Sequence, residues 1–211
     1  MPRIPRESLA DRRSRRAAVD DPSDVLAVAA RFLGVRPRSS DEVRRRLRDA
    51  GYRAELVEGT LDRLTELGYL DDAAFARAWV ESRDRAGPRG ARALRDELRR
   101  RGVARADAEA ALAAREARAA GDDPDDPRLR TGAGERADSE AADEAAAARL
   151  LARKGAGLLR EPDVRKRRGK AYALLARGGF DPGTAGRAST AWLAKTGKMS
   201  ADDDSEPAAE P

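Results

Sequence analysis

Pro37, Leu47, Gly51 and Leu61 return as Pro88, Leu98, Gly102 and Leu112, each displaced by 51 positions, and Val57 returns at the same offset as Ala108. Anchors that share one offset mark an internal repeat, and a repeat restricts a chain to small supersecondary units in series. A single large core is therefore not expected.

Each repeat is punctuated in the same way. Val25, Ala29, Phe32 and Leu33 recur with helical spacing, and Pro37 ends that run. Ser39 followed by Glu42 forms a capping box, in which each side chain satisfies a backbone donor near the other. The helix it opens turns Val43 and Leu47 inward and stops at Gly51, which suits a left-handed cap. A third helix carries Val57, Leu61 and Leu64 to Gly68. The pattern then starts again: Tyr69-Leu70-Asp71-Asp72 leads into a helix with Phe75, Trp79 and Val80, broken at Gly87-Pro88. The next helix bears Leu94 and Leu98 and stops at Gly102, and a further one bears Ala108 and Leu112.

A third set follows an acidic, Pro- and Gly-bearing stretch. Ala145, Ala148 and Leu151 suggest one face, and Val164, Ala171, Leu174 and Leu175 the next. Leu175 and Gly179 restate the Leu-x-x-x-Gly stop. Asp181-Pro182 opens a last helix with Ala185, Ala188 and Trp192. The expected division is a disordered basic arm at 1–22, three-helix repeats at 23–70, 71–117 and 141–197, a flexible acidic insertion at 118–140 and a disordered acidic tail at 198–211. That makes nine short helices in three modules. Hydrophobic residues are 40% of the chain but aromatics only 4%, so each core is thin. Alanine and arginine are strong helix formers, in keeping with an all-α fold.

Composition also excludes chemistry. With no cysteine and no histidine, disulfides, thiolate catalysis, zinc sites and histidine bases are all out of reach. No cofactor or metal is expected. Adjacent Asp71 and Asp72 at a helix start read as cap and first-turn charge rather than a catalytic pair. Gly169-Lys170 and Gly197-Lys198 lack the spacing and the Ser/Thr of a phosphate-binding loop. No apolar run is long enough for a membrane helix, and no apolar stretch follows the N-terminal basic residues as in a signal peptide. A cytoplasmic, monomeric bacterial protein without membrane contact is expected.

Charge placement points to a partner. Residues 145–199 carry 13 basic and 3 acidic groups, with acidic stretches on either side, the usual footprint of a polyanion partner. Arg165, Lys166, Arg167, Arg168 and Lys170 form the densest cluster. Arg44, Arg45 and Arg48 (with Arg46), and Arg99, Arg100 and Arg101, form two further runs that a solvated helix face also explains. Phe75, Trp79 and Trp192 sit at core-facing spacing, so packing outranks base stacking for them.

Residues 24–115 closely resemble the RecX family, and 140–195 do so more loosely. The resemblance is carried by Arg38-Ser39 before Glu42, Leu47-x-x-x-Gly51, Gly68-Tyr69-Leu70-Asp71-Asp72, Phe75-Ala76 with Trp79 following, and Gly87-Pro88-Arg89-Gly90 before Leu98 and Gly102. It implies three tandem three-helix repeats in an elongated, curved, right-handed array. It also implies a non-catalytic regulator that binds RecA–single-stranded DNA filaments, restrains their ATPase and strand exchange, and so influences recombination, repair and the SOS response. The insertion at 118–140 and the alanine-heavy third repeat depart from the family pattern. Two other classes stay open on the residues alone: a helix-turn-helix-like DNA-binding repressor built on pairs such as 40–67, and a helical protein–protein scaffold.

Overall fold

A computed structural model describes residues 8–120 and 139–203, and the described residues hold ten α-helices and no strand. The helices are α1 (Leu9–Ala17), α2 (Pro22–Leu33), α3 (Ser40–Ala50), α4 (Ala54–Glu66), α5 (Asp72–Ala86), α6 (Ala91–Arg100), α7 (Arg105–Ala120), α8 (Ser139–Lys154), α9 (Val164–Arg177) and α10 (Pro182–Asp203). A 3-10 segment, Gly155–Arg160, follows α8. The central part of the expected insertion, 121–138, and the tail beyond Asp203 lie outside the described residues.

Expected boundaries and observed ones agree where the chain carries caps. Ser39 accepts the Glu42 N–H through its hydroxyl, and the Glu42 carboxylate accepts the Ser39 N–H, completing the capping box of α3. Asp71 caps α5 by accepting the Ala74 N–H at 2.8 Å, and Asp181 caps α10 by accepting that of Thr184. Gly51, Gly68, Gly102 and Gly179 all have φ between 73° and 105°, the left-handed region that a Cβ disfavours, and each directly follows a helix or its last turn.

The expected disordered arm is corrected in part, its residues 1–7 lying outside the described ones. Residues Leu9–Ala17 are helical, with Ser8 and Asp11 forming a capping box. Apolar periodicity missed α1 because the helix buries none of its residues. Its anchors are polar: the Arg16 guanidinium donates to the Ala50 carbonyl and lies over the Tyr52 ring at 5.9 Å. Helix boundaries also move: α8 begins at Ser139, inside the expected insertion, and α10 continues to Asp203, past the expected start of the tail.

The chain forms two compact units, one of residues up to Ala76 with Leu98–Ala108, the other of Arg77–Glu97 with Glu109 onward. In the first, Val25, Ala29, Val43, Leu47, Tyr52, Val57, Leu61, Leu64 and Leu70 make the core, with Phe32 and Leu33 partly buried against it. In the second, Ala146, Ala147, Leu150, Leu151, Ala171, Leu175, Phe180 and Ala185 form a core to which Trp192 packs. The face inferred for α8 is shifted: Ala142, Ala146, Leu150 and Leu151 are buried while Ala148 is exposed, and Val164 at the start of α9 is 59% exposed. Alanine lines several sides of α8, so its apolar stripe has no sharp phase for the sequence to reveal.

A similar hydrogen-bond scheme occurs twice, once inside each unit, with donors at positions related by the 51-residue offset. In the first unit the start of α3 meets the end of α6: the Ser39 hydroxyl donates to the Arg101 carbonyl at 2.5 Å, and the Ser40 N–H donates to Asp72 at 2.8 Å. In the second unit the start of α6 meets the end of α9: the Gly90 N–H donates to the Gly178 carbonyl at 3.1 Å, and the Ala91 N–H donates to Asp143 at 3.0 Å. The glycine stops are needed twice over here, since a Cβ on Gly102 would overlap Asp41 and one on Gly179 would overlap Ala93. In both places a donor at a helix N-terminus, the Ser39 hydroxyl or the Gly90 N–H, satisfies a carbonyl at a helix C-terminus, and the following backbone N–H is satisfied by a carboxylate.

Candidate nucleic-acid interface

Helix α9 positions the densest cations. Asp163 caps it, its carboxylate accepting the N–H groups of Arg165 and Lys166 at 2.8 and 3.1 Å. No acidic residue follows in the first turn, which instead carries Arg165, Lys166 and Arg167, with Arg168 next. Cations at a helix N-terminus oppose the macrodipole, each by roughly 0.3–1 kcal/mol. Arg165, Lys166 and Arg168 are exposed, and no ion pair or side-chain hydrogen bond among the described residues involves them. Two members of the cluster are restrained. Arg167 donates to the Glu161 carbonyl at 2.9 Å, and Lys170 pairs with the Glu161 carboxylate, holding that acid below its usual range. Glu161 thus engages Arg167 and Lys170, while the side chains of Arg165, Lys166 and Arg168 have no partner among the described residues.

The runs on α3 and α6 are placed differently. Arg44 is bidentate to Glu58 at 3.1 Å and lies 3.5 Å from Asp41, Arg45 pairs with Asp41, and Arg48 pairs with Glu58 at 2.7 Å. The hydrogen bonds from Arg44 lower the Glu58 pKa and raise that of Arg44. Arg101 pairs with Glu42 at 2.7 Å, and its carbonyl is the acceptor for Ser39. Arg100 lends its carbonyl to Arg45, while the side chains of Arg99 and Arg100 are exposed at the helix end. Arg44 and Arg48 thus bind their own repeat together, whereas Arg101 and Arg45 tie the second repeat to the first.

Several family-motif residues lie in the cores. Leu47, Leu70 and Leu98 are at most 2% exposed, and Phe75 is buried, whereas Tyr69 is 68% exposed. Arg38 stacks its guanidinium 4.1 Å from the Phe32 centroid, and burial, then neighbouring Arg36, lowers its pKa. Trp79 is only half-buried: its Nε1 donates to Glu97 at 2.9 Å and Arg83 lies over its ring at 4.4 Å. Gly87 follows the last residue of α5.

The most buried ion network among the described residues belongs to no sequence motif. Arg115 on α7 is 2% exposed; it holds Asp84 through Nε and Nη2 at 2.9 and 3.0 Å, Asp143 through Nη1 at 2.6 Å, and the Arg89 carbonyl at 3.1 Å. A cleft beside it is lined by Asp84, Arg118, Ala142, Ala145 and Arg149. The available signal was an arginine in the buried phase of α7, among Ala111, Ala114 and Ala117. Nothing in this network resembles a catalytic constellation, and the described residues hold no cluster suited to a metal. None of the described helices is long and apolar enough to cross a membrane.

Two family models match the chain, the first three-helix domain of RecX over residues 26–64 and the second over 71–112. The regulatory protein RecX of Prosthecochloris aestuarii is 42% identical over 92 residues, covering 44% of this chain and 61% of that protein. That of Pseudomonas syringae pv. tomato is 40% identical over 96 residues, 46% of this chain and 61% of the relative. That of Mycolicibacterium smegmatis is 45% identical over 76 residues, 36% and 40%. The matched segment thus spans about 60% or less of each relative's length. The crystal structure of RecX from Lactobacillus salivarius superposes with a TM-score of 0.58 at 18% identity, covering 80% of this chain and 94% of that one. At such identity the likeness bears out the helical fold alone.

Proposed function

Because this chain belongs to the RecX family of regulatory proteins, we propose that it binds RecA–single-stranded DNA filaments and restrains their ATPase and strand-exchange activity, without catalysis or cofactor of its own. In this reading it works in the cytoplasm as a monomer, through three tandem three-helix repeats, and bears on recombination, repair and the SOS response. The observation that carries the reading is the set of exposed cations Arg165, Lys166 and Arg168, unpaired among the described residues, at a helix N-terminus that their charge disfavours. Cations kept against the local field are explained by an anion from outside, and phosphates supply one. The doubled hydrogen-bond scheme at the starts of α3 and α6 supports the repeat organisation.

The test is filament affinity across a salt series, wild type against the triple variant Arg165→Gln, Lys166→Gln, Arg168→Gln, with helicity checked for both. If each cation neutralises one phosphate, the log–log slope should flatten by about 0.7 for each cation replaced, or roughly 2 in all. An unchanged slope and affinity would return these residues to an ordinary solvated face. Tight binding to a defined duplex without inhibition of the recombinase would favour the repressor class instead.

A further inference from the structure

On α9, Tyr172 is 38% exposed on the same side of the helix as Arg165 and Arg168. At about 100° per residue, Arg165, Arg168, Gly169, Tyr172 and Ala176 fall within roughly 100° of arc, a quarter turn or so from the buried Ala171 and Leu175. Helical side chains lean toward the N-terminus, so the Tyr172 ring lies over the turn holding Arg168 and Gly169. One turn further on is Ala176, the smallest side chain a helix favours. The ring is therefore bordered by a glycine and an alanine along the stripe, with two arginines beyond the glycine. Its hydroxyl makes no hydrogen bond among the described residues.

Gly169 has no role in the fold. It sits inside α9, its φ is not positive, and a Cβ there would meet nothing within 4 Å. A helix-interior glycine is disfavoured through backbone entropy, so the position calls for a reason. Gly59 and Gly186 are equally open, but neither has an exposed aromatic one turn away beside unpaired cations.

We propose that this stripe is a stacking platform for single-stranded DNA, one unstacked base lying on the Tyr172 ring over Gly169 while Arg165 and Arg168 hold the flanking phosphates. This rests on the reading of α9 as a phosphate-contacting surface and adds to it a base-stacking contact. Aromatic rings flanked by cations bind single strands irrespective of sequence, because every base offers a π-face. A duplex keeps its bases stacked and cannot use the ring. A bare glycine surface lets the base approach the helix backbone closely, which a methyl group would prevent.

The experiment measures binding of the full chain to two labelled probes of equal length and charge, oligo(dT) and an oligomer of tetrahydrofuran abasic spacers. Tyr172→Ala should weaken oligo(dT) binding about 5-fold or more and leave the abasic probe unchanged, since only stacking is removed. Tyr172→Phe should stay within about 2-fold of wild type, and Gly169→Ala should raise thermal stability while weakening oligo(dT) binding. Wild-type affinity of Tyr172→Ala for oligo(dT) would overturn the platform. The pair Arg165→Gln, Arg168→Gln separates the two readings. If it weakens both probes while Tyr172→Ala does not, the phosphate surface stands and only stacking falls. If it changes neither probe, or wild type binds neither, both readings fall together.

Discussion

Replacing Arg115 with methionine removes the guanidinium that joins α7 to Asp84 and Asp143 while keeping most of the buried side-chain volume. Arg115 is 2% exposed and Asp143 is 5% exposed, so neither charge has water to fall back on. In wild type Asp143 has two stabilising partners, the Arg115 Nη1 at 2.6 Å and the Ala91 N–H. Arg115→Met leaves a buried carboxylate with the N–H alone. Breaking a buried pair from one side costs about 3–5 kcal/mol, and for a chain of this size that is a fall of roughly 6–20 °C in Tm. Adding Asp143→Asn keeps an acceptor for Ala91 and removes the stranded charge, so the double variant should recover at least about 1 kcal/mol.

The pH dependence follows with a definite sign. Burial raises the Asp143 pKa, opposed by the Ala91 N–H and by Arg115. Without Arg115 one opposing influence is gone and the folded-state pKa rises further. A carboxyl whose folded pKa exceeds its unfolded one binds a proton on folding within that window, so stability falls as pH rises through it. The deficit of Arg115→Met should therefore shrink on acidification from neutral pH into the carboxylate range. Circular dichroism melts at several pH values for wild type, single and double variants supply the data. A single variant that melts with wild type, or a deficit that grows on acidification, would refute the assignment of this network as a buried structural tie.

Two further outcomes are expected. Ser39→Ala removes a helix cap and leaves the Arg101 carbonyl without its hydroxyl donor, so urea unfolding should show a loss of about 1–3 kcal/mol, more than a surface cap alone would give. Leu98→Ala, fully buried, should cost about 2–5 kcal/mol, and Trp79→Ala, half-buried but tied to Glu97 and Arg83, should cost less; equal losses would mean that the ring is packed as deeply as Leu98.

Helix starts and stops were legible because they are local events. The box at Ser39 and Glu42, the cap at Asp71 and the left-handed glycines at 51, 102 and 179 depend on residues within one turn, and the 51-residue offset carried the repeat. Several residues of the RecX pattern, among them Ser39, Leu47, Gly51, Leu98 and Gly102, likewise occupy cores and caps, which is why a linear motif carries the resemblance. Helix α1 stayed hidden because it is held by Arg16 on a carbonyl and a ring rather than by an apolar stripe. The α8 face stayed hidden because alanine blurs its phase.

By itself the sequence determined an all-helical chain, its punctuation, its repeat and an excess of cations near the C-terminus. Tertiary structure decided which cations are free. Arg44 and Arg48 close on Glu58, 14 and 10 residues away, Arg101 closes on Glu42 across 59 residues, and Arg115 reaches Asp143 across 28. Arg165, Lys166 and Arg168 keep their charge exposed because no carboxylate among the described residues pairs with their side chains. Ion pairing depends on distance in space, with energies that fall off within a few ångströms, and a linear count of charges carries no distances.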